Sequence, residues 1–273
     1  MLPQHFHFKA SLPPHHRPSF GCTGGFTLME LLVVIGIMAI MMGLVVPAIN
    51  GLKGSGNFDG AMRELAGVLE PSRAYAMANN THVFVGIEEV DARQSTSAIP
   101  QTPATTTNGG RVIVVAVASR DGTSGYDSNT LTSGTSLSSS SLLLLGKVRR
   151  IENLHLLDLN ASTTTPPATG GMARSAVDPA SRVGNAKCVS LTPFNYPLSG
   201  TAQYKFTVVI EFGPQGSAKI VSQNGASLSK IIEIGIQPTH QNAIPVPPSN
   251  QAVGSHGAIQ IDGLTGNIRT YKP

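Results

Sequence analysis

Gly24-Gly25-Phe26-Thr27-Leu28-Met29-Glu30-Leu31-Leu32-Val33-Val34-Ile35-Gly36-Ile37-Met38-Ala39-Ile40-Met41-Met42-Gly43-Leu44-Val45-Val46-Pro47-Ala48-Ile49-Asn50 is the stretch on which the reading of this chain turns. From Leu31 to Leu52 it carries no charged side chain. A helix rises about 1.5 Å per residue, so about 20 residues cover the roughly 30 Å hydrocarbon core of a bilayer. The apolar character runs around the whole helix with no polar stripe, unlike a helix that packs one face on a soluble core. Residues 26–50 are therefore expected to form a membrane-spanning helix.

The residues ahead of this span reverse the order of a removable secretory signal. Such a signal places its apolar run before the small-residue cleavage site; here Gly24 and Gly25 come first. A cut after Gly25 would discard the polar, His- and Pro-rich leader 1–25 and keep the hydrophobic segment. Glu30 is the second anomaly, because a carboxylate at the edge of an apolar span is costly and marks a functional position. The cut itself would supply its partner: it frees the α-amino group of Phe26, four residues ahead of Glu30. The two charges can neutralise each other within one chain or between packed neighbours, where water screens them poorly.

The run Gly25-Phe26-Thr27-Leu28-Met29-Glu30 followed by an apolar segment resembles the type IV prepilin cleavage and methylation motif. Pro47, twenty-second from Phe26, matches a proline that many members of that family carry. The resemblance implies cleavage by a membrane prepilin peptidase, N-methylation of Phe26, and assembly with other pilin-like subunits through Glu30 and the segment around Pro47. The chain departs from the family in having no Lys or Arg nearer the cut than Arg17, and in Met29 at a position more often Ile or Leu. Further on, Ser72 to Ala78, Phe212-Gly213-Pro214-Gln215-Gly216 and Ile259 to Arg269 are similar to segments of H-type minor pseudopilins. Ala74 to Thr81 also looks like the D-type protein of the Verru_Chthon cassette, a pilin-like family.

Past the apolar run, Pro47, Gly51, Gly54, Gly56 and Gly60 make residues 47–60 a soft segment. Phe58, Met62, Leu65 and Leu69 then return at helical spacing, until Pro71 interrupts the pattern, although Ser72 to Asn79 could continue a helix with Pro71 in its first turn. From Thr81 the chain reads as strands: Thr81–Ile87, Arg111–Ser119, Leu142–Ile151, Leu154–Leu159, Tyr204–Phe212, Ile231–Ile236 and Ala258–Ile261. Residues 204–221 and 258–271 read as hairpins, and the Ser/Thr/Gly stretches 95–110, 120–141 and 160–186 as long loops.

The composition excludes several classes of function. Charged residues are only 12% of the chain and the net charge is +4. Of Lys147, Arg149 and Arg150, two would alternate faces on a strand, which fits a solvated edge better than a phosphate track and argues against nucleic acid as a partner. Beyond the leader Cys188 is the lone cysteine, so it has no internal disulfide partner. His82, His155, His240 and His256 are scattered, no Gly-x-Ser-x-Gly elbow or phosphate loop occurs, and Asp121 and Asp127 have poor spacing for calcium. No catalytic residue, metal ligand or cofactor is expected.

The sequence thus leads to an α+β fold: a long N-terminal hydrophobic helix followed by an antiparallel β-sheet domain. Leader 1–25, transmembrane and assembly helix 26–50, soft linker and amphipathic helix 51–80, and exported β-rich domain 81–273 make up the chain. The expected role is a subunit of a type II secretion pseudopilus or type IV pilus-like machine, single-pass in the bacterial inner membrane with its C-terminal domain in the periplasm. A membrane-tethered binding module acting through its long loops, and a tethered enzyme, are the competing readings.

Overall fold

The computed structural model describes residues 27–124, 137–159, 172, 174–220, 229–239, 242–244 and 255–272. The chain divides into two units, Met1–Asn50 and Gly51–Pro273. Helical backbone, α1, is bounded by Leu28 and Ala78, and its side chains are described over 28–41 and 58–78.

In the first unit every residue from 27 to 41 is exposed. In the second, Phe58, Ala61, Met62, Leu65, Leu69, Ser72 and Ala76 are buried at steps of three and four, while Asp59, Arg63, Glu64 and Glu70 keep the opposite face in water. Leu65 and Leu69 are fully enclosed, each contributing about 1.5–3 kcal/mol relative to exposure. Pro71 was expected to interrupt this stretch, yet the helix continues through it. Gly67 and Pro71 both lie on the exposed face, so the Gly67 carbonyl can be hydrated in place of the bond that proline cannot donate. The helix ends where Asn80 turns left-handed (φ 48°) and Thr81 N–H donates to Ala76 O at 3.1 Å, the closing bond of a Schellman cap.

The strands follow as β1 (Val83–Asp91), β2 (Gly110–Ser119), β3 (Leu142–Leu144), β4 (Arg149–Glu152), β5 (Leu154–Leu156), β6 (Arg182–Val183), β7 (Phe194–Tyr196), β8 (Tyr204–Phe206), β9 (Val208–Phe212), β10 (Ala218–Lys219), β11 (Ile231–Pro238), β12 (Gly257–Asp262) and β13 (Ile268–Tyr271). Among the described residues they form three sheets. The first runs β10-β9-β1-β2, with β3 and β4 sharing the far edge of β2. The second runs β13-β12-β11-β5, with β6 beside β11 in the one parallel pairing described. The third is the hairpin β7–β8.

The expectation of a long hydrophobic helix ahead of a single antiparallel domain is corrected here. The helical stretches described in full are short, 28–41 and 58–78, and among the described residues no helix is long and apolar enough to cross a membrane. Residues 28–41 extend only about 21 Å, short of the roughly 30 Å core, and 58–78 carries charge along its outer face. The bulk of the described chain is mostly antiparallel sheet.

Two of the expected strands are also broken. Leu142–Ile151 separates into β3 and β4 around Gly146, and Tyr204–Phe212 into β8 and β9 at Thr207. Thr207 leaves the ladder because its N–H and Oγ1 donate to Glu88 Oε2, at 3.1 and 2.8 Å.

The core follows from these layers. The buried stripe of 58–76 packs with Val83, Val85, Val112 and Val114 of the first sheet and with Ile232, Ile234, Ile259 and Ile261 of the second. The other face of the first sheet is covered by the β7–β8 hairpin, whose Phe194, Tyr204 and Phe206 sit on Phe84, Val115 and Val209. A sheet buried on both faces needs apolar residues at consecutive positions, as in Val112-Ile113-Val114-Val115, all buried. Gly86 makes this layer possible: a Cβ there would lie 2.5 Å from Phe206 Cγ.

Candidate assembly segment and buried polar sites

Of the residues expected to carry function, Gly25 and Phe26 lie outside the described residues, and Pro47 lies within α1 with its side chain outside them. Glu30 is described and exposed. Thr27 Oγ1 accepts from Glu30 N–H at 3.2 Å, while Glu30 Oε2 accepts from Thr27 N–H and from Thr27 Oγ1, both at 3.0 Å. This is a reciprocal capping box, with Thr27 before the first helical residue and Glu30 at its third. It gives Glu30 a local role that the reading of the sequence, centred on charge pairing, had missed; the Thr-x-x-Glu spacing was the available signal. Within it Leu28 is 81% and Met29 71% exposed.

Three segments far apart in the chain, around Arg73, Gly216 and Gly266, meet at one place. Arg73 Nε donates to Gly216 O at 3.4 Å. Gly266 lies against both: its Cβ would fall 2.1 Å from Gly216 O and 2.9 Å from Arg73 Cδ. Gly216 and Gly266 both have left-handed φ, 82° and 63°. The second turn is held by Asp262, whose Oδ1 accepts from Leu264 N–H, Thr265 N–H and Thr265 Oγ1 at 2.8–3.0 Å. The Thr265 bonds, backbone first, hold the Asp262 carboxyl below its usual range. Late helix and both turns form a structural junction, which explains their residue types without a ligand.

Three buried carboxylates tie strands together. Glu89 on β1 accepts Gly110 N–H on Oε1 at 2.8 Å and Leu156 N–H on Oε2 at 2.9 Å, and His155 Nδ1 lies 2.9 Å from Oε2. It therefore joins β1 and β2 to β5, across two sheets. Glu211 on β9 receives Ser124 Oγ at 2.6 Å on Oε1, with His82 Nδ1 at 2.8 Å and Lys219 Nζ at 3.2 Å from the same oxygen. Burial pushes its carboxyl up, but the His82 contact, the Lys219 charge and the Ser124 bond together pull it below the ordinary value. Glu233 on β11 accepts from Gln260 Nε2 at 2.8 Å and pairs with Arg174 Nη1 at 3.2 Å. There burial prevails over Gln260 and the arginine charges, and the carboxyl is raised. None of these was singled out from the sequence. The signal was present as a lone acid inside a β-branched run: Val208-Val209-Ile210-Glu211-Phe212 and Ile231-Ile232-Glu233-Ile234.

These groups hold strands in register. Ser124 O–H is donated to the Glu211 carboxylate, the Lys219 ammonium is paired with the same oxygen, and Lys219 Nζ also donates to Ser124 Oγ at 3.1 Å. Asp121 is occupied by its own turn: its Oδ1 accepts Ser119 Oγ at 2.6 Å, Thr123 Oγ1 at 2.7 Å and Thr123 N–H at 3.1 Å. Those bonds, Ser119 foremost, hold its carboxyl down to about 2. Asp127 and His240 lie outside the described residues, and among the described residues no cluster of metal-ligating side chains occurs. Cys188 is a buried free thiol pushed up to about 12, by burial first and then by the Asp158 charge.

Of the long loops, 95–110 is fastened down. It bridges Val90 to Pro103 and Asn108 to Ala243, and Gln101 N–H donates to Gln203 O at 2.9 Å. Residues 125–136 and 160–171 of the other two lie outside the described residues. Comparison with protein-family models, with curated proteins and with solved structures finds no match to this chain.

Proposed function

We propose that this chain is a prepilin-type subunit, cut after Gly25, N-methylated at Phe26, and held in the bacterial inner membrane by its N-terminal segment. It joins pilin-like partners of a type II secretion pseudopilus or a type IV pilus-like machine, with the β-rich domain in the periplasm and a prepilin peptidase as its processing enzyme. The observation that carries this reading is the run Gly25-Phe26-Thr27-Leu28-Met29-Glu30, followed by apolar residues that are exposed from Leu28 to Met41. An apolar surface of that kind calls for a membrane or neighbouring subunits to cover it. The domain performs a structural task rather than catalysis, in keeping with carboxylates spent on joining strands.

Two measurements test the reading. Mass spectrometry of the chain from its native membrane should find N-methyl-Phe26 at the terminus, and an intact leader would remove the proposal. Glu30→Gln separates the two roles of that side chain. Glutamine serves the third position of a capping box as well as glutamate does but cannot pair with the Phe26 amine. Co-purification with partner subunits should be lost in Glu30→Gln, and full assembly of this variant would show that the cap, not the charge, is what the position needs.

A further inference from the structure

The outer edge of the first sheet is made by β3 and β4, each paired with β2 on one side and with no strand on the other among the described residues. Arg120 N–H donates to Ser141 O at 2.8 Å and Leu145 N–H to Ala116 O at 3.0 Å. Between these bonds the alternation of an antiparallel ladder turns the Leu144 N–H away from β2. Arg120 Nε donates to Leu142 O at 2.9 Å and closes the edge at that end. Leu143 and Leu144 are 41% and 39% exposed. Arg120, Lys147, Arg149 and Arg150 are exposed along the same edge, and none of them forms an ion pair among the described residues. The acid at its far end, Glu152, is held by Arg111 Nε at 2.6 Å. Arg150 is aimed by Tyr204, whose phenol oxygen accepts its Nε at 2.9 Å, which leaves both terminal amino groups for an acid. Cations alone would guard an edge against pairing, but two adjacent exposed leucines do not.

The register decides which partner can use these groups. Leu144 and Arg150 stand opposite Val117 and Ile113, which pack with the β7–β8 hairpin. Leu143 and Arg149 stand opposite Ala118 and Val114, which pack with the buried stripe of 58–76. Each face of the edge therefore carries one leucine and one arginine. A flat anionic surface would meet one face and leave the other pair unused. A strand laid along the edge sends its side chains alternately to both faces and offers its main chain to the outward N–H. A second copy of the edge would set cation against cation, which repels; the complement is acidic. Leu144 and Arg149 are opposite Val117 and Val114, about 10 Å apart along β2. We propose that the β3–β4 edge takes up an extended acidic segment of a partner protein as an added strand. Two adjacent acids of that segment meet Arg149 and Arg150, and an apolar pair further along it meets Leu143 and Leu144. This proposal does not depend on the reading of the N-terminal segment.

The probe is the fluorescein-labelled peptide Thr-Glu-Glu-Thr-Thr-Val-Val-Thr, titrated with the full chain by anisotropy, with amide hydrogen exchange read at Leu144. It should saturate with Kd on the order of 100 μM and slow exchange of the Leu144 N–H about tenfold. Arg149→Glu should weaken the peptide about tenfold, and the lysine version, Thr-Lys-Lys-Thr-Thr-Val-Val-Thr, should bind that variant better than it binds the parent. Leu144→Thr keeps strand preference and should weaken the acidic peptide about fivefold through lost apolar contact. Both sites are exposed, and an unchanged melting temperature shows that the variants fold. No saturation, binding that Arg149→Glu leaves as it was, or binding without slowed exchange at Leu144 would each overturn the proposal. So would two outcomes that name another occupant when the peptide gives no response. Uptake on phosphatidylglycerol vesicles assigns the edge to a membrane surface, and self-association lost in Leu144→Thr assigns it to a second copy.

Discussion

Replacing Glu89 with glutamine isolates what a buried carboxylate does between two sheets. Its oxygens serve different strands: Oε1 takes Gly110 N–H at 2.8 Å, and Oε2 takes Leu156 N–H at 2.9 Å. A carboxamide has one acceptor, so whichever way it turns, its NH₂ faces one of these N–H groups. One buried backbone donor left without a partner costs about 1–3 kcal/mol, which in a chain of this size lowers the melting temperature by roughly 2–12 °C. Alanine strands both donors, so Glu89→Ala should cost about 2–6 kcal/mol before any cavity is counted. Urea and thermal unfolding at pH 7, followed by circular dichroism and tyrosine fluorescence, give these values, with exposed Glu64→Gln as the control within about 0.5 kcal/mol. Gly109→Ala supplies an independent arm, since its Cβ would fall 2.0 Å from Glu89 Oε1 and push the carboxylate away. The two changes disrupt one contact, so their costs should be less than additive. If Glu89→Gln melts with the parent, or the pair proves additive, the bridging account of this residue is wrong.

Two other substitutions test the layers around it. Folding lowers the Glu211 carboxyl below its ordinary value of 4.5, so its ionised form favours the folded chain. That contribution is present above pH 4.5 and disappears as pH falls through the folded value; the stability gap between the parent and Glu211→Gln should therefore narrow in acid, and a gap that widens there would contradict the pairing with His82 and Lys219. Gly86→Ala sets a methyl group 2.5 Å from Phe206 Cγ and 2.7 Å from Phe194 Cζ; overpacking of this kind costs about 1–3 kcal/mol, part of which Phe206→Leu should restore in the double variant's urea midpoint.

Much of the β-rich region could be read from its residues because β-branched runs state their conformation locally. Thr81–Ile87 and Arg111–Ser119 correspond to β1 and β2, and the hairpin expected at 258–271 is β12 and β13. The strands that escaped notice are those whose identity depends on what they pack against. Phe194-Asn195-Tyr196 stands between Pro193 and Pro197 with no alternating pattern, and becomes β7 by pairing with β8 over the first sheet. The break at Thr207 is equally non-local, since it is made by a carboxylate 119 residues away. Helical spacing foretold that Phe58, Met62, Leu65 and Leu69 share a buried face, but not that the helix would survive Pro71, which depends on that residue facing water. At the candidate site, the motif around Glu30 was plain as a string. Its hydrogen bonds to Thr27 were implicit in the same four residues and were passed over for a longer-range explanation.

Those bonds bear on what the proposed cut after Gly25 would leave behind. The atoms that close the start of α1 are Thr27 N, Thr27 Oγ1, Glu30 N and Glu30 Oε2, and all of them lie on the far side of the Gly25–Phe26 bond. Losing everything before Phe26 removes none of them. The bonds that begin α1 would therefore survive the proposed cut.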